Sequence, residues 1–322
     1  MSTPSDMPDR PPVEIVRAYL ELVRAPNIFT AMADVVMGFL FANPFIRSDQ
    51  HLILAVLVCA SSCLYAAGMV LNDVFDVDID RRERPGRPIP SGMIPLATAA
   101  RLGWGLLGAG VVLAGAAAAL AGSLTTALVA VLLAACIVFY DRILKRTPLG
   151  PLGMGACRML NVLLGMSTLG ASGRLAPWGP SHWLAAGAIG IYIAGVTWLA
   201  RGEATRGNRW QLTLSTLVLL GGIAALFALP PWVESPAPLL VVAPQRWYIL
   251  IAVLGGFTAL RCFQTVAEPE PDVIQAAVKH CILSLVFLDA AICYVVADLQ
   301  GAIIVLAFLI PTFLLGRWIY ST

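Results

Sequence analysis

The chain alternates long apolar segments with short polar ones, and most apolar segments run for roughly twenty residues. An α-helix needs about that length to cross the hydrocarbon core of a bilayer, so each segment is a candidate membrane span. The segments are continuous and lack the period-two alternation of barrel strands. The pattern therefore predicts an all-α transmembrane bundle of nine, possibly ten, helices. The candidate spans are residues 18–43, 51–74, 96–120, 123–140, 151–171, 181–201, 211–229, 247–265, 274–297 and 300–318.

Composition agrees with a polytopic membrane protein. Of the 322 residues, 59% are hydrophobic and 12% are charged, and the mean hydropathy is +0.82. Soluble proteins usually carry about twice that charged fraction. Residues 1–13 are polar and rich in proline, which predicts a flexible tail, and we expect residues 14–322 to form one transmembrane domain. Membrane lipid is an expected partner and nucleic acid is not.

The basic residues are distributed unevenly between the two sides of the predicted bundle. With the N-terminus inside, the outer connections hold three of the 21 lysines and arginines, namely Arg47, Arg174 and Arg246. Cytoplasmic loops retain basic residues because their translocation is costly. This predicts a multi-pass protein of a bacterial inner membrane, with the loops after the second, fourth and sixth helices together on the cytoplasmic side. For most of these arginines, setting the topology is a sufficient explanation.

A group of carboxylates follows the second span, in the stretch "NDVFDVDID". If the helix continues through it, four side chains with oxygen donors share an arc of about 100°. Asp78 lies on the opposite side. Such donors repel one another unless a cation lies between them, and hard oxygen ligands suit Mg²⁺. The alternative is a solvated helix end. The four residues are Asn72, Asp73, Asp76 and Asp80.

Arginines come directly after these carboxylates. Pro85 ends the helix because it disfavours the helical conformation at Arg84. Further prolines stiffen the loop that follows. The helix end and this loop together place Arg81, Arg82, Arg84 and Arg87 beside the carboxylates. Arginine binds phosphate through a bidentate fork, so the stretch predicts a site for a diphosphate. Alternatively, some of these arginines pair with anionic lipid headgroups.

Four short motifs resemble the UbiA superfamily of intramembrane prenyltransferases. "NDVFDVDID" resembles its NDxxDxxxD motif and "RPIPSG" resembles the segment after it. "YDRILKR" (140–146) and "LVRAPN" (22–27) resemble its Tyr/Lys-Arg motif and its first-helix Arg-Pro signature. The resemblance implies nine helices around a central cavity, where an isoprenyl diphosphate binds through Mg²⁺ bridging two Asp-rich motifs. Departure of the diphosphate then gives an allylic carbocation that an acceptor captures.

The resemblance also assigns roles to the matching residues, and nearby polar residues join them as candidates. The candidate catalytic residues are Asn72, Asp76, Asp80, Tyr140, Lys145 and Arg158. The candidate diphosphate-binding residues are Arg24, Arg81, Arg84, Arg87, Lys145, Arg146, Arg201, Arg206 and Lys279. The candidate metal ligands are Asn72, Asp73, Asp76, Asp80 and Glu203.

The sequence departs from the family at its second Asp-rich motif, which is expected near residues 198–210. That stretch reads "WLARGEATRGNRW", and Glu203 is its one carboxylate, beside Arg201, Arg206 and Arg209. One interpretation is that the arginines supply the positive charge that a second metal would bring to the diphosphate. The other is a degenerate site with altered chemistry.

Two further segments suggest a subgroup. "GACRMLNVLLG" (155–165) and "IQAAVKHCILSLVFLDA" (274–290) resemble the EboC-like branch, which is encoded beside cyclitol-type biosynthetic genes in some bacteria. The resemblance favours a small aromatic or cyclitol-like acceptor.

Charged residues inside apolar segments are costly and usually face a cavity or a partner. Arg158 is predicted either to line the site or to extend towards the inner interface. Lys279 is either a second phosphate contact or an interfacial anchor. Asp34 and Asp289 either assist deprotonation of an acceptor or hold the bundle together. Tyr140 either stabilises a carbocation with its ring face or lies at the membrane interface.

The sequence favours a Mg²⁺-dependent prenyltransferase acting on an isoprenyl diphosphate and a small acceptor. The alternative is a carrier or transporter of a prenyl-linked compound on the same scaffold, and its motivation is the missing second motif. Against it, the chain shows no obvious inverted repeat and no pair of broken helices.

Overall fold

The computed structural model of the protein describes residues 11–168, 178–202, 207–233 and 243–320. All regular structure in these residues is helical, which confirms the predicted all-α class. The helices are α1 (Pro12–Leu22), α2 (Ala25–Ala42), α3 (His51–Phe75), α4 (Val77–Glu83), α5 (Leu96–Ala121), α6 (Leu124–Arg142), α7 (Gly150–Met166), α8 (Pro180–Ala200), α9 (Arg209–Ala225), α10 (Gln245–Ala267), α11 (Pro271–Leu306) and α12 (Leu309–Tyr320).

Eight segments of the described residues are helical, long and apolar enough to cross a membrane. The last of them, Pro271–Ile319, is 49 residues long and contains both α11 and α12. Helix α7 has 17 residues and is shorter than these eight. Adding α7 gives nine candidate membrane spans in the described residues, which is consistent with the predicted nine or ten.

The first predicted span, residues 18–43, is wrong as a single helix. The structure breaks it at Arg24, whose φ of 48° and ψ of 53° lie in the left-handed region. Pro26 stands in the first turn of α2, where its missing N–H costs nothing. Helix α1 begins at Pro12, inside the predicted tail, and residues 1–10 lie outside the described part of the chain.

The helix after the second span is also discontinuous, contrary to the prediction for residues 72–80. Asp76 has φ −98° and ψ 5°, and it separates α3 from the short helix α4. Hydrogen bonds still cross the break, from the Asp76 N–H to Asn72 and from the Asp80 N–H to Asp76. The carboxylates therefore keep a nearly helical spacing. Helix α4 ends at Glu83, as expected from Pro85.

A second left-handed residue interrupts α11. Asp298 has φ 58° and ψ −164°, and its Oδ1 accepts a hydrogen bond of 2.7 Å from the Leu299 N–H. This kink lies between the two last predicted spans, 274–297 and 300–318. The short polar connection inferred there is therefore a bend within one helical segment.

Two glycines bring α2 and α7 into close contact. A Cβ added at Gly38 would lie 2.3 Å from the Val162 carbonyl oxygen, and one at Gly165 would lie 2.3 Å from the Val35 carbonyl oxygen. Only glycine allows two backbones to approach so closely. Helix α2 also packs against α3 and α11. The polar side chains of α2 are thus held beside those of α7.

Candidate active site

The carboxylates of α3 and α4 gather around Arg87. Its Nη1 donates hydrogen bonds of 3.2 Å to Asp73 Oδ1 and 2.7 Å to Asp80 Oδ2. Both aspartates are buried, at 6% and 4% exposure. Asp78 points to the other side of α4, where 79% of its side chain is exposed. The structure thus has the one-sided arrangement that the helical spacing predicted, and we call Asn72, Asp73, Asp76 and Asp80 the carboxylate cluster.

The loop after α6 completes this cluster from the opposite side. Lys145 Nζ lies 2.7 Å from Asp76 Oδ2 and donates a hydrogen bond of 2.9 Å to Asn72 Oδ1. Arg146 Nη2 donates to the Phe75 carbonyl at 3.0 Å and to Asp76 Oδ1 at 3.4 Å. The loops after the second and fourth predicted spans therefore meet, as the sequence indicated.

Arg24 brings a further positive charge to the cluster. Its Nη2 lies 3.7 Å from Asp73 Oδ1, and its side chain is 36% exposed. The left-handed conformation at Arg24 separates α1 from α2 and starts α2 beside the end of α3. Backbone conformations of this kind concentrate at functional sites. The four cations at the cluster are Arg24, Arg87, Lys145 and Arg146.

Three predicted diphosphate ligands are not brought to the cluster. Arg81 pairs with Asp78 at 2.9 Å, because both project from the exposed side of α4. Arg84 is exposed where α4 ends. Lys279 is exposed on α11.

Arg201, at the end of α8, also differs from the prediction. Its Nη2 donates to the backbone carbonyls of Lys145 at 3.2 Å and Thr147 at 2.6 Å. The guanidinium therefore holds the loop that carries Lys145 instead of facing the carboxylates. Glu203 and Arg206, the other predicted site residues of this stretch, lie outside the described residues.

A cavity of about 60 Å³ lies beside the cluster, between α2, α3, α6 and α7. Its wall is mainly apolar, and Gly68 and Met69 belong to the helical turn just before Asn72. Tyr140 lines it, and its predicted role towards a carbocation stays a prediction. The other lining residues are Ala31, Leu64, Tyr65, Leu133, Ile137, Asp141, Met154, Cys157, Arg158 and Asn161.

Arg158 lines the far part of this cavity and is held by a buried polar network. Its Nη1 donates to Asp34 Oδ2 at 2.6 Å, and its Nη2 donates to Thr30 Oγ1 at 2.8 Å. The Tyr65 ring centroid lies 5.4 Å from the guanidinium carbon. Asn161 Nδ2 also donates to Asp34 Oδ2, at 3.1 Å. One prediction for Arg158 was that it lines the site, and one for Asp34 was that it holds the bundle together. Arg158 lines the cavity, and its contact with Asp34 joins α7 to α2.

Asp141 is a site residue that the sequence analysis missed. It is 2% exposed, it lines the cavity, and its Oδ2 is buried without a hydrogen-bond partner among the described residues. The signal was a carboxylate in the last turn of an apolar helix, directly after Tyr140.

The donor chemistry of the cluster fits Mg²⁺. In the described residues no three His, Cys, Asp or Glu side chains are arranged around one metal position. Mg²⁺ is commonly held by one or two carboxylates together with phosphate oxygens of a substrate. Asp73 and Asp80 provide such a pair, since Arg87 bridges them.

The fold and the site together define a class of protein: a polytopic helical membrane protein that gathers carboxylates and cations at one end, beside an apolar cavity, as an intramembrane prenyltransferase does. The chain belongs to the UbiA prenyltransferase family, whose family model matches residues 31–283.

Among curated proteins, the chain is similar to digeranylgeranylglyceryl phosphate synthases of archaea. The one from Metallosphaera sedula is 44% identical over 129 residues, which are 40% of this chain and 43% of that protein. The one from Methanosarcina barkeri is 34% identical over 169 residues, 49% of this chain and 57% of that protein. The chain thus matches only about half of the length of these relatives.

Solved structures share the fold. A UbiA homologue from Aeropyrum pernix K1 in its apo form has a TM-score of 0.59 and 21% identity, covering 88% of this chain and 96% of that one. A homologue from Archaeoglobus fulgidus bound to GPP and Mg²⁺ has a TM-score of 0.51 and 16% identity, covering 86% of this chain and all of that one.

Proposed function

We propose that the protein transfers an isoprenyl group from a polyprenyl diphosphate to a small acceptor, with Mg²⁺ as its cofactor. The observation that carries this proposal is the meeting of the carboxylate cluster with four cations beside an apolar cavity. A polyprenyl diphosphate has the matching parts, because its head is a polyanion and its tail is a hydrocarbon.

The cluster would change partners when the donor binds. Asp73 and Asp80, with Asp76 and Asn72 beside them, would hold Mg²⁺ through their oxygens. The metal supplies positive charge that stabilises the departing diphosphate. Arg87, now paired with both aspartates, would then be available to bind phosphate oxygens.

Other residues of the chain would position the diphosphate and protect the cation. Lys145 and Arg146 already approach the cluster from the loop after α6, and Arg24 approaches it from the start of α2. Tyr140 lies in the cavity wall, where its ring face can stabilise an allylic cation. The apolar wall excludes water, which would otherwise capture that cation.

The relatives and the motifs suggest the substrates. The curated relatives are named for a glyceryl phosphate with two geranylgeranyl groups, which supports a long isoprenyl donor and an acceptor with a hydroxyl group. The EboC-like segments support a cyclitol-like acceptor. Both acceptor types carry a hydroxyl group.

The cluster lies at the arginine-rich end of the bundle. By the positive-inside rule we place this end on the cytoplasmic side of a bacterial inner membrane. A water-soluble acceptor and the diphosphate product would then enter and leave from the cytoplasm.

A carrier of a prenyl-linked compound is a second candidate. It is favoured by Arg201, which binds backbone carbonyls where the second Asp-rich motif of the family is expected. A carrier binds the prenyl compound and releases no diphosphate, so turnover separates the two functions.

The test uses the purified chain in lipid nanodiscs with labelled geranylgeranyl diphosphate, Mg²⁺, and geranylgeranylglyceryl phosphate or myo-inositol as acceptor. Wild type should form a prenylated product and release diphosphate. Asp80→Asn should slow both by at least about a hundredfold, because it weakens the binding of the Mg²⁺ that would stabilise the leaving group. Asp78→Asn is the matched control, since Asp78 is an exposed aspartate of the same helix.

Absence of turnover by wild type with every donor length and acceptor would overturn the proposal. Equal rates for Asp80→Asn and Asp78→Asn would overturn the role of the cluster.

A further inference from the structure

We infer that Asp141 is a further catalytic residue, which takes the proton from the acceptor's hydroxyl group as the new bond forms. The inference deepens the proposed function and rests on it. It also specifies the acceptor as a compound that attacks through an O–H group.

The first argument is the unmet hydrogen-bonding capacity of Asp141. Buried polar atoms nearly always have a partner, yet Asp141 Oδ2 has none among the described residues, and the residue is 2% exposed. A carboxylate accepts hydrogen bonds and, when ionised, donates none. The partner that suits this oxygen is therefore a donor from a bound molecule, such as a hydroxyl group.

The second argument is the position of Asp141. It lines the cavity beside Tyr140, so a molecule in the cavity can reach it. Asp76 of the carboxylate cluster and Lys145, which pairs with it, lie close enough to act on Asp141 electrostatically. Asp141 thus lines the cavity within reach of the cluster where the diphosphate would leave.

The third argument is that Asp141, unlike the aspartates of the cluster, has no cation within 4 Å in the described structure. Asp73 and Asp80 pair with Arg87, and Asp76 pairs with Lys145. Lys145 and Arg24 act on Asp141 only from a greater distance. A carboxylate that is not held in an ion pair keeps an oxygen available to accept a proton.

Other buried carboxylates are less suited to this role. Asp34 is bound by Arg158 and Asn161 through its Oδ2. Asp289 is fully buried and interacts with Asp34. Neither of these two aspartates lines the cavity.

The proposed step balances. The bond between the isoprenyl carbon and the diphosphate oxygen breaks, and the diphosphate leaves with the electron pair. A lone pair of the acceptor oxygen forms the new carbon–oxygen bond. The O–H bond breaks, its electrons stay on the acceptor oxygen, and the proton passes to Asp141 Oδ2. The proton then passes to the departing diphosphate, which carries it out of the site.

The test compares Asp141→Asn, Asp141→Glu and Asp141→Ala with wild type in nanodiscs, under single-turnover conditions with geranylgeranyl diphosphate and the acceptor that wild type uses. Asp141→Asn should slow transfer by about a hundredfold or more, as expected for loss of a general base. Asp141→Glu should recover part of the rate. Added sodium formate should accelerate Asp141→Ala, because formate fits the space of the deleted carboxylate and can take the proton in its place.

Binding of an unreactive thiolodiphosphate analogue of the donor provides the structural control. Its Kd should change by less than about threefold in all three Asp141 variants, since they keep the cluster. If Asp141→Asn shows no cooperative thermal unfolding, the variant has not folded. The rates of Asp141→Glu and of formate-treated Asp141→Ala then test the role of Asp141.

The possible failures are distinguishable. No transfer by wild type overturns the proposed function. Transfer by wild type together with an unchanged rate in Asp141→Asn, or with no rescue by glutamate and formate, overturns the role of Asp141 alone.

Discussion

At the scale of single residues, the interior of the bundle is organised by charge pairing. The sequence indicated that Arg158, inside an apolar helix, would face a cavity or a partner. It did not identify the partner, because Asp34 is 124 residues away and nothing in the sequence pattern connects the two. The pair is almost fully buried, with side-chain exposures of 11% and 0%. Removing one member therefore leaves a charge with no compensation.

Arg158→Met should destabilise the protein by about 3–5 kcal/mol, which is the usual cost of removing one partner of a buried ion pair. Asp34→Leu should have a similar effect, and the double variant should recover much of the loss because both charges are gone. Denaturant unfolding of the four proteins in detergent measures this cycle. Additive losses in the double variant would show that the two residues do not stabilise each other.

At the scale of elements, the end of α8 supports the loop after α6. The sequence analysis placed Arg201 on the diphosphate because the second Asp-rich motif of the family is expected there. The structure shows it on the carbonyls of Lys145 and Thr147. Such side-chain contacts to the backbone leave no sequence signature. Arg201 positions Lys145, and Lys145 in turn holds Asp76.

Arg201→Gln should raise the KM for the diphosphate donor by about tenfold, the lower end of the range for supporting contacts at a metal site. The reason is that the loop carrying Lys145 loses two hydrogen bonds from a charged donor. Steady-state kinetics with varied donor measure the effect. Arg209→Gln is the matched control, since Arg209 donates to the Ala267 carbonyl instead. Equal KM values for both variants would contradict the supporting role of Arg201.

At the scale of the whole molecule, hydropathy predicted the all-α class and the number of spans, and the distribution of basic residues predicted that the polar segments after α3 and α6 lie on one side. These features depend on the length and composition of segments. The breaks at Arg24 and Asp76 and the bend at Asp298 were not predicted, because hydropathy does not report backbone dihedral angles. The one-sided arrangement of carboxylates survived the break at Asp76 because backbone hydrogen bonds continue across it.

The central claim is that the carboxylate cluster binds a prenyl diphosphate together with Mg²⁺. The most direct measurement is calorimetric titration of the nanodisc-embedded chain with geranylgeranyl thiolodiphosphate, in the presence of Mg²⁺ and after its removal by a chelator. We predict that wild type binds the analogue in the presence of Mg²⁺. The affinity should fall by about a hundredfold when Mg²⁺ is removed, and by a similar factor in Asp80→Asn. Asp78→Asn should bind like wild type. Binding that is independent of Mg²⁺ and of Asp80, or no binding by wild type, would contradict the account.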